Sequence, residues 1–321
     1  MISDKLKLKK IKEDASFRSF YRKKKDNKKS IIVYAAKERK KNLLIYTAIN
    51  SLLIKNKVLA PKLYKENYKK GFIEIEDFGD DTIFKLLSKR GSNKANLYKK
   101  SINLLNKIQK IKQNKIKNFK GKNYKIPIYN NNKLFNEAKL FSDWYAKKYI
   151  SKKKITNFSL KINKQIKFLL SSMRLKNNVF VHRDFHVSNL MKYKNQIATI
   201  DTQDALIGNR AYDLASLIDD VRFKSNIKLK DNIYNQYLKV NKKDINKVFL
   251  LNDFEILSVL RNMKIIGIFT RLAVRDKKKK YLKLIPYAWK LIELRIKNNK
   301  IFHNLKTILD LNFSKNIRDY K

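Results

Sequence analysis

The stretch "VFVHRDFHVSNLM", Val179 to Met191, restricts the possible folds of this chain more than any other part of it. Its apolar start reads as a short strand over Val179 to Val181. It ends in His182-Arg183-Asp184, and Asn189 follows five positions after the aspartate. Asp201 closes a second apolar run, Gln196 to Ile200. That run and Asn189 to Tyr193 are spaced as a hairpin turning at Lys194-Asn195, which folds the chain back and lets Asn189 and Asp201 approach each other. In phosphoryl transfer a protein mainly positions groups and neutralises charge, so it needs a carboxylate near the attacking hydroxyl and oxygen ligands for a cation. Asp184 is expected to orient the acceptor hydroxyl and accept its proton, and Asn189 and Asp201 to hold Mg²⁺ against the phosphates of a nucleotide. Oxygen ligands suit a hard cation that keeps several of its waters. Taken singly, each residue is an ordinary polar group at a strand end; the combined spacing carries the reading. His182 is expected to pack and fix the loop rather than transfer a proton, and His186 has no assigned role.

The pattern on either side divides the chain. "DASFRSFYR" and "KSIIVYAA", around the polar "KKKDNKK", suit two antiparallel strands joined by a turn. Ile45, Ile49, Leu52 and Leu53 recur at helical spacing and predict a helix that ends before Pro61. In "GFIEIEDFGDD", Ile73 and Ile75 face one way and Phe72, Glu74 and Glu76 the other, until Gly79 breaks the strand. Residues 1–78 thus read as a small β-rich lobe and residues 79–321 as a large, mainly helical lobe, with a hinge-like connector near 76–82: an α+β chain. In "DLASLIDDV", Leu214, Leu217, Ile218 and Val221 form one stripe, and Asp213 is placed to cap that helix.

Charge invites another reading, because 77 Lys+Arg against 27 Asp+Glu leave a formal +50. The lysines are spread along the chain beside Asn and Ile, whereas a nucleic-acid binder gathers its basic residues into a stripe or tail. Codon bias produces the same excess, so no nucleic-acid partner is expected. The lack of cysteine excludes disulfides, thiolate metal sites and cysteine nucleophiles. The start "MISDKLKLKKIKED" has no unbroken apolar core, and the apolar stretch Ile265 to Val274 contains Arg271. A soluble, cytoplasmic monomer without a membrane partner is expected.

The form H-R-D-x-x-x-x-N is common to protein kinases and to small-molecule kinases of similar fold. Only eleven residues separate Asp201 from Asp213, and no A-P-E follows, so a peptide-binding platform has no room. Neither G-x-G-x-x-G nor a Walker A sequence is present. Through "DASFRSFYR", "FIEIEDFGDDT", "LFSDWY", "VHRDFHVSNLM", "IDTQDALIGNRAYDLASLIDD", "RNMKIIGIFTRLAVRD" and "YLKLIP", the chain resembles the aminoglycoside phosphotransferase family. Within it, "LFSDWY" and "RNMKIIGIF" resemble the anomeric kinases of N-acetylmuramate and N-acetylglucosamine. The resemblance implies a protein-kinase-like two-lobed fold and MgATP-dependent transfer of the γ-phosphate to a sugar's anomeric hydroxyl, in cell-wall recycling. It implies that Ser16 and Arg18 lie in the loop over the phosphates and that the backbone of Glu76, Asp77 and Phe78 meets the adenine edge. It also implies that Asp213 braces the catalytic loop, although capping its helix explains that residue equally well. Two departures stand out. Thr202 replaces an aromatic residue, so looser packing of its loop is expected, and "IIVYAA" holds no lysine, which leaves Arg18 or Lys37 to supply that charge.

For the acceptor, a small-molecule sugar, "LFNEAKLFSDWYAKKY" places Glu137, Phe141, Trp144 and Tyr145 on one face of a helix. Such a stripe serves either a core or a substrate pocket. Arg261 and Lys264 either meet a carboxylate, such as the lactyl group of N-acetylmuramate, or lie on a solvated face. Two alternatives remain. One is a phosphotransferase of the same fold acting on an aminoglycoside, choline or homoserine; the other is a basic nucleic-acid-binding protein with a degenerate kinase fold.

Overall fold

Strict alternation in "FIEIE" buries Ile73 and Ile75 and turns their neighbours outward, making this the strand around which a five-stranded antiparallel sheet forms. The computed structural model describes residues 7–11, 18–25, 28–35, 42–242 and 245–319. The sheet contains β1 (Lys7–Lys10), β2 (Ser19–Lys25), β3 (Lys28–Tyr34), β4 (Leu63–Asn67) and β5 (Phe72–Glu76), in the order β1-β2-β3-β5-β4. In the register of β3 with β5, Ile31 faces Ile75 and Val33 faces Ile73. These four pack with Ala35 and with Leu43 and Tyr46 of helix α1 (Asn42–Lys55). Burying each such aliphatic side chain stabilises the fold by about 1.5–3 kcal/mol.

The class is α+β, as expected. Contacts group the chain into Met1–Pro127 with His182–Leu206, and Ile128–Val181 with Ile207–Lys321. These units do not follow the expected boundary after Phe78. The stretch that carries His182, Asp184, Asn189 and Asp201 groups with the sheet because backbone bonds tie it there. Thr199 N–H donates to Leu59 C=O at 2.9 Å, Lys192 N–H donates to Asp81 C=O at 2.8 Å, and Thr82 bridges Met191. The hairpin itself, Leu190–Tyr193 with Gln196–Thr199, turns at Lys194 and Asn195 as expected. Both residues have positive φ, 45° and 61°, the geometry of a tight turn matched to strand twist.

The second unit is built on helices, around the 28-residue helix Lys247–Val274, much of which is buried. Asparagine caps recur: Asn130, Asn226 and Asn246 each accept backbone N–H groups from the first turn of the helix that follows, so part of the chain's asparagine excess serves helix starts. Asp213 is not such a cap. Its helix, Ala211–Ile218, starts two residues earlier, with Ala211 N–H donating to Asn209 Oδ1 at 2.9 Å, and Asp213 sits fully buried in the first turn. Between Asn131–Ala138 and Lys147–Tyr149 the chain makes a π-helical turn, Phe141–Ala146. Gly267 of the long helix packs against its start, where an added Cβ would lie 2.3 Å from the Leu140 carbonyl carbon.

Candidate active site

The polar loop after Val181 is braced by its own side chains. His182 is wholly buried, with Nε2 2.7 Å from Thr199 Oγ1 and 3.0 Å from Ile200 C=O, which fastens the strand end to the far arm of the hairpin. Burial pushes its pKa down against the pull of the Asp184 and Asp201 carboxylates, so it stays neutral as a structural group. Asn189 donates Nδ2–H to the backbone carbonyl of Asp184 at 3.1 Å, and its own carbonyl accepts Ile200 N–H at 3.0 Å. One residue therefore spans from the predicted base to the neighbour of Asp201. Its Nδ2 is committed to the loop, which leaves Oδ1 as the ligand atom for a cation. Arg183 and Asp201 both adopt left-handed backbone, φ 77° and 63°. Such conformations cost about 1–3 kcal/mol each and persist where the surroundings fix them, often at functional sites.

Asp201 already faces a cation. Arg18 Nη2 donates to its Oδ1 at 2.7 Å while Nη1 donates to Gln203 Oε1 at 3.1 Å. The Arg18 guanidinium also lies over the rings of Phe20 and Tyr46, 5.5 and 5.6 Å from their centroids. Arg18 is 5% exposed and Asp201 39%, so solvent and ligands reach the carboxylate but barely the guanidinium. Burial pushes the Tyr46 hydroxyl up to about 12, so it remains protonated. The chemistry of the donor set, an amide oxygen and a carboxylate, suits a hard divalent ion that keeps several of its waters. Ser16 and Lys37 lie outside the described residues.

Side chains in the segment expected to be a hinge, residues 76–82, are engaged within their own unit. Arg22 of β2 bonds Asp77 at 2.6 and 3.0 Å, Asp80 at 2.9 and 3.0 Å and Gly79 C=O at 3.1 Å, and it holds Asp80 below the usual carboxylate range. Glu76 accepts Tyr193 O–H at 3.2 Å, and its N–H goes to Lys62 C=O. Phe78 packs its ring on Tyr193, 4.7 Å between centroids, beside Met191 and Ala198. Among the described residues, its backbone N–H and C=O make no hydrogen bond, so they remain the available pair on this segment.

In the second unit the expected acceptor residues separate. The π turn inserts a residue and breaks the single face drawn through Glu137, Phe141, Trp144 and Tyr145. Phe141 and Tyr145 go into an aromatic core with Trp289 and Phe313; Tyr145 donates its O–H to Ile317 C=O and accepts Trp289 Nε1–H. Tyr145 is fully buried, so it serves packing rather than a ligand. Trp144 is half-buried. Glu137 accepts Lys264 Nζ at 2.7 Å and the Tyr129 hydroxyl, while Lys264 also reaches the Tyr212 hydroxyl at 3.2 Å. Arg261 is 5% exposed rather than on a solvated face, and its buried Nη1 has no hydrogen-bond partner among the described residues.

The sequence profile of a phosphotransferase enzyme family matches residues 7–245. The chain belongs to that family. An N-acetylmuramate/N-acetylglucosamine kinase of Neisseria meningitidis serogroup B is 27% identical to this phosphotransferase over 282 residues, 85% of this chain and 80% of the relative. The enzyme of the same name from Pseudomonas aeruginosa is 26% identical, over 88% of this chain and 82% of its own length. A choline kinase from Streptococcus pneumoniae superposes with a TM-score of 0.59 at 13% identity, covering 91% of this chain and 92% of its own, which shows the fold. No helix among the described residues of this phosphotransferase is long and apolar enough to cross a membrane.

Sequence reasoning missed four contributors to the site. Gln203 and Tyr46 position Arg18, Arg22 holds Asp77 in the segment after β5, and Asn50 holds the loop of Asp201 through Thr202. Thr202 does not loosen its loop: it is fully buried and bonded to Asn50. Tyr46 and Asn50 stand four apart on α1, a spacing that places both on one face; their partners far along the chain leave no local signal.

Proposed function

We propose that this phosphotransferase uses MgATP to phosphorylate the anomeric hydroxyl of an N-acetylated amino sugar, N-acetylmuramate or N-acetylglucosamine, in cell-wall recycling. The observation that carries the reaction type is that Asn189 is bonded both to the backbone of Asp184 and to that of Ile200, the residue before Asp201, on one loop and hairpin. The Asp184 carboxylate takes the proton of the acceptor hydroxyl as that oxygen bonds to the γ-phosphorus; the bond to the β-phosphate oxygen breaks and ADP leaves. Asn189 Oδ1 and the Asp201 carboxylate would hold magnesium, which when bound neutralises charge on the phosphate oxygens. The free backbone pair of Phe78 suits the adenine edge.

Two features support the acceptor class. Curated relatives along most of the chain carry the name of an amino-sugar kinase. Arg261 offers a buried guanidinium nitrogen without a bonding partner among the described residues, which suits the carboxylate of N-acetylmuramate, and Trp144 offers a half-buried aromatic face for the ring, while the Glu137 carboxylate is paired with Lys264.

The test is transfer from γ-labelled ATP to a panel of N-acetylmuramate, N-acetylglucosamine, an aminoglycoside, choline and homoserine. Label should enter the two amino sugars, and the product should lose its reducing end because the anomeric oxygen is blocked. Label entering only the aminoglycoside, choline or homoserine overturns the acceptor assignment.

A further inference from the structure

Arg18 and Asp201 raise a question that the proposed reaction does not answer. A carboxylate expected to bind a divalent ion is already neutralised, at 2.7 Å, by an arginine from the far end of the unit's sequence. We infer that Arg18 is a stand-in cation: it occupies Asp201 while no divalent ion is bound and moves to the nucleotide's phosphates when one is. This inference rests on the MgATP site proposed above.

Three observations favour a displaceable pair over a permanent bridge. Asp201 is fixed by its left-handed backbone and is 39% exposed, so a hydrated ion can approach it while it stays in place. Arg18 has a second, neutral anchor in Gln203 and rests against the faces of Phe20 and Tyr46, contacts that a guanidinium retains through small shifts. Gln203 in turn donates to Asp204 Oδ2 at 2.9 Å, and Asp204 pairs with Arg183 at 3.4 Å. Arg183 precedes Asp184 and has a φ of 77°, so a shift of Arg18 has a bonded route to the residue beside the base. An ion entering without nucleotide competes with Arg18 for the Asp201 oxygens and leaves the guanidinium in need of another anion. Nucleotide phosphates supply that anion. Metal and nucleotide therefore promote each other's binding, and Arg18 is the positioning residue through which they do so.

The test measures Mn²⁺ binding to nucleotide-free protein by electron paramagnetic resonance, for the wild type, Arg18→Gln and Arg18→Lys. Arg18→Gln is expected to bind the free ion at least about fivefold more tightly, the lower end of ordinary coupling between sites, and to lose most of the gain in Mn²⁺ affinity that ATP gives the wild type. Arg18→Lys keeps the charge but loses the fork to Gln203, so a smaller gain in the same direction is expected; it decides the matter should Arg18→Gln fail to fold. Free-ion affinity unchanged or weakened in the folded variants overturns the inference. A wild type that binds Mn²⁺ but never ATP would instead defeat the functional reading, since the free-ion comparison needs no nucleotide.

Discussion

Thr202 Oγ1 donates to Asn50 Oδ1 at 2.6 Å, joining the residue after Asp201 to the buried face of α1 across 152 positions of sequence. Thr202 and Asn50 are both buried, and Asn50 also donates Nδ2–H to Pro61 C=O at 3.1 Å. Replacing Thr202 by Val keeps the volume but leaves the Asn50 oxygen buried without its donor. Thr202→Val should destabilise the protein by about 1–3 kcal/mol, the cost of an unsatisfied buried acceptor, measured by urea unfolding. A midpoint equal to that of the wild type would show that the bond contributes nothing.

Asp184→Asn separates chemistry from architecture. The loop is held by the backbone carbonyl of residue 184 through Asn189, and that bond survives the substitution. Turnover should fall by about a hundredfold or more, the usual contribution of a positioned base, with the melting temperature and its shift by MgATP preserved. Turnover at the wild-type level removes Asp184 from the role of base.

Asn189→Ala should do the opposite of leaving metal binding alone. It deletes both the Nδ2 donor to Asp184 and the Oδ1 offered to the cation. The Mg²⁺ concentration for half-maximal rate should rise by at least about 10–100-fold, the range for losing support around a metal. An unchanged Mg²⁺ dependence would place the ion elsewhere.

How much of this was legible in the sequence depended on how local each signal was. The hairpin after the polar loop was read correctly because both of its arms are short apolar runs and Lys194-Asn195 supplies the turn between them. The edge strands β1, "KLKK", and β4, "LYKEN", escaped: edges are kept soluble with lysine, so they carry no clean alternation. The stripe through Glu137 and Tyr145 assumed 3.6 residues per turn, and the π turn, whose start packs closely against Gly267, broke it. Arg18 was assigned to the phosphate loop from resemblance, but its pairing with Asp201 and Gln203 is fixed by topology, across 183 and 185 positions, and has no signature in composition or spacing.

Buried charge gives the pH dependence. Asp219 is fully buried and accepts Lys230 Nζ at 2.9 Å, Arg295 at 2.8 and 3.1 Å and Ser258 Oγ at 2.6 Å. Burial alone would raise its pKa, but Lys230 and Arg295 outweigh that and hold it at about 2, against an ordinary 3.8. A depressed carboxylate stabilises the fold fully above its unfolded value and loses that contribution as pH falls. Stability should therefore decline between pH 3.8 and about 2 in the wild type. Asp219→Asn leaves two cations without their counter-charge and should cost about 3–5 kcal/mol at neutral pH, with that acid-dependent step flattened. A variant with the full acid step would assign it to other carboxylates.

Gly267→Ala sets two magnitudes against each other. Within the helix Lys247–Val274, alanine is the better helix former by about 1 kcal/mol, so propensity alone predicts a more stable protein. The added methyl, however, would stand 2.3 Å from the carbonyl carbon and 2.4 Å from the carbonyl oxygen of Leu140, both backbone atoms that no rotamer change can move. Relief requires shifting the start of the π turn Phe141–Ala146, which carries Trp144. Overpacking of this kind costs about 1–3 kcal/mol or more, enough to reverse the sign. Gly267→Ala should lower the melting temperature and raise KM for the acceptor while leaving KM for ATP near the wild-type value. A rise in melting temperature would mean that propensity wins and that this contact yields.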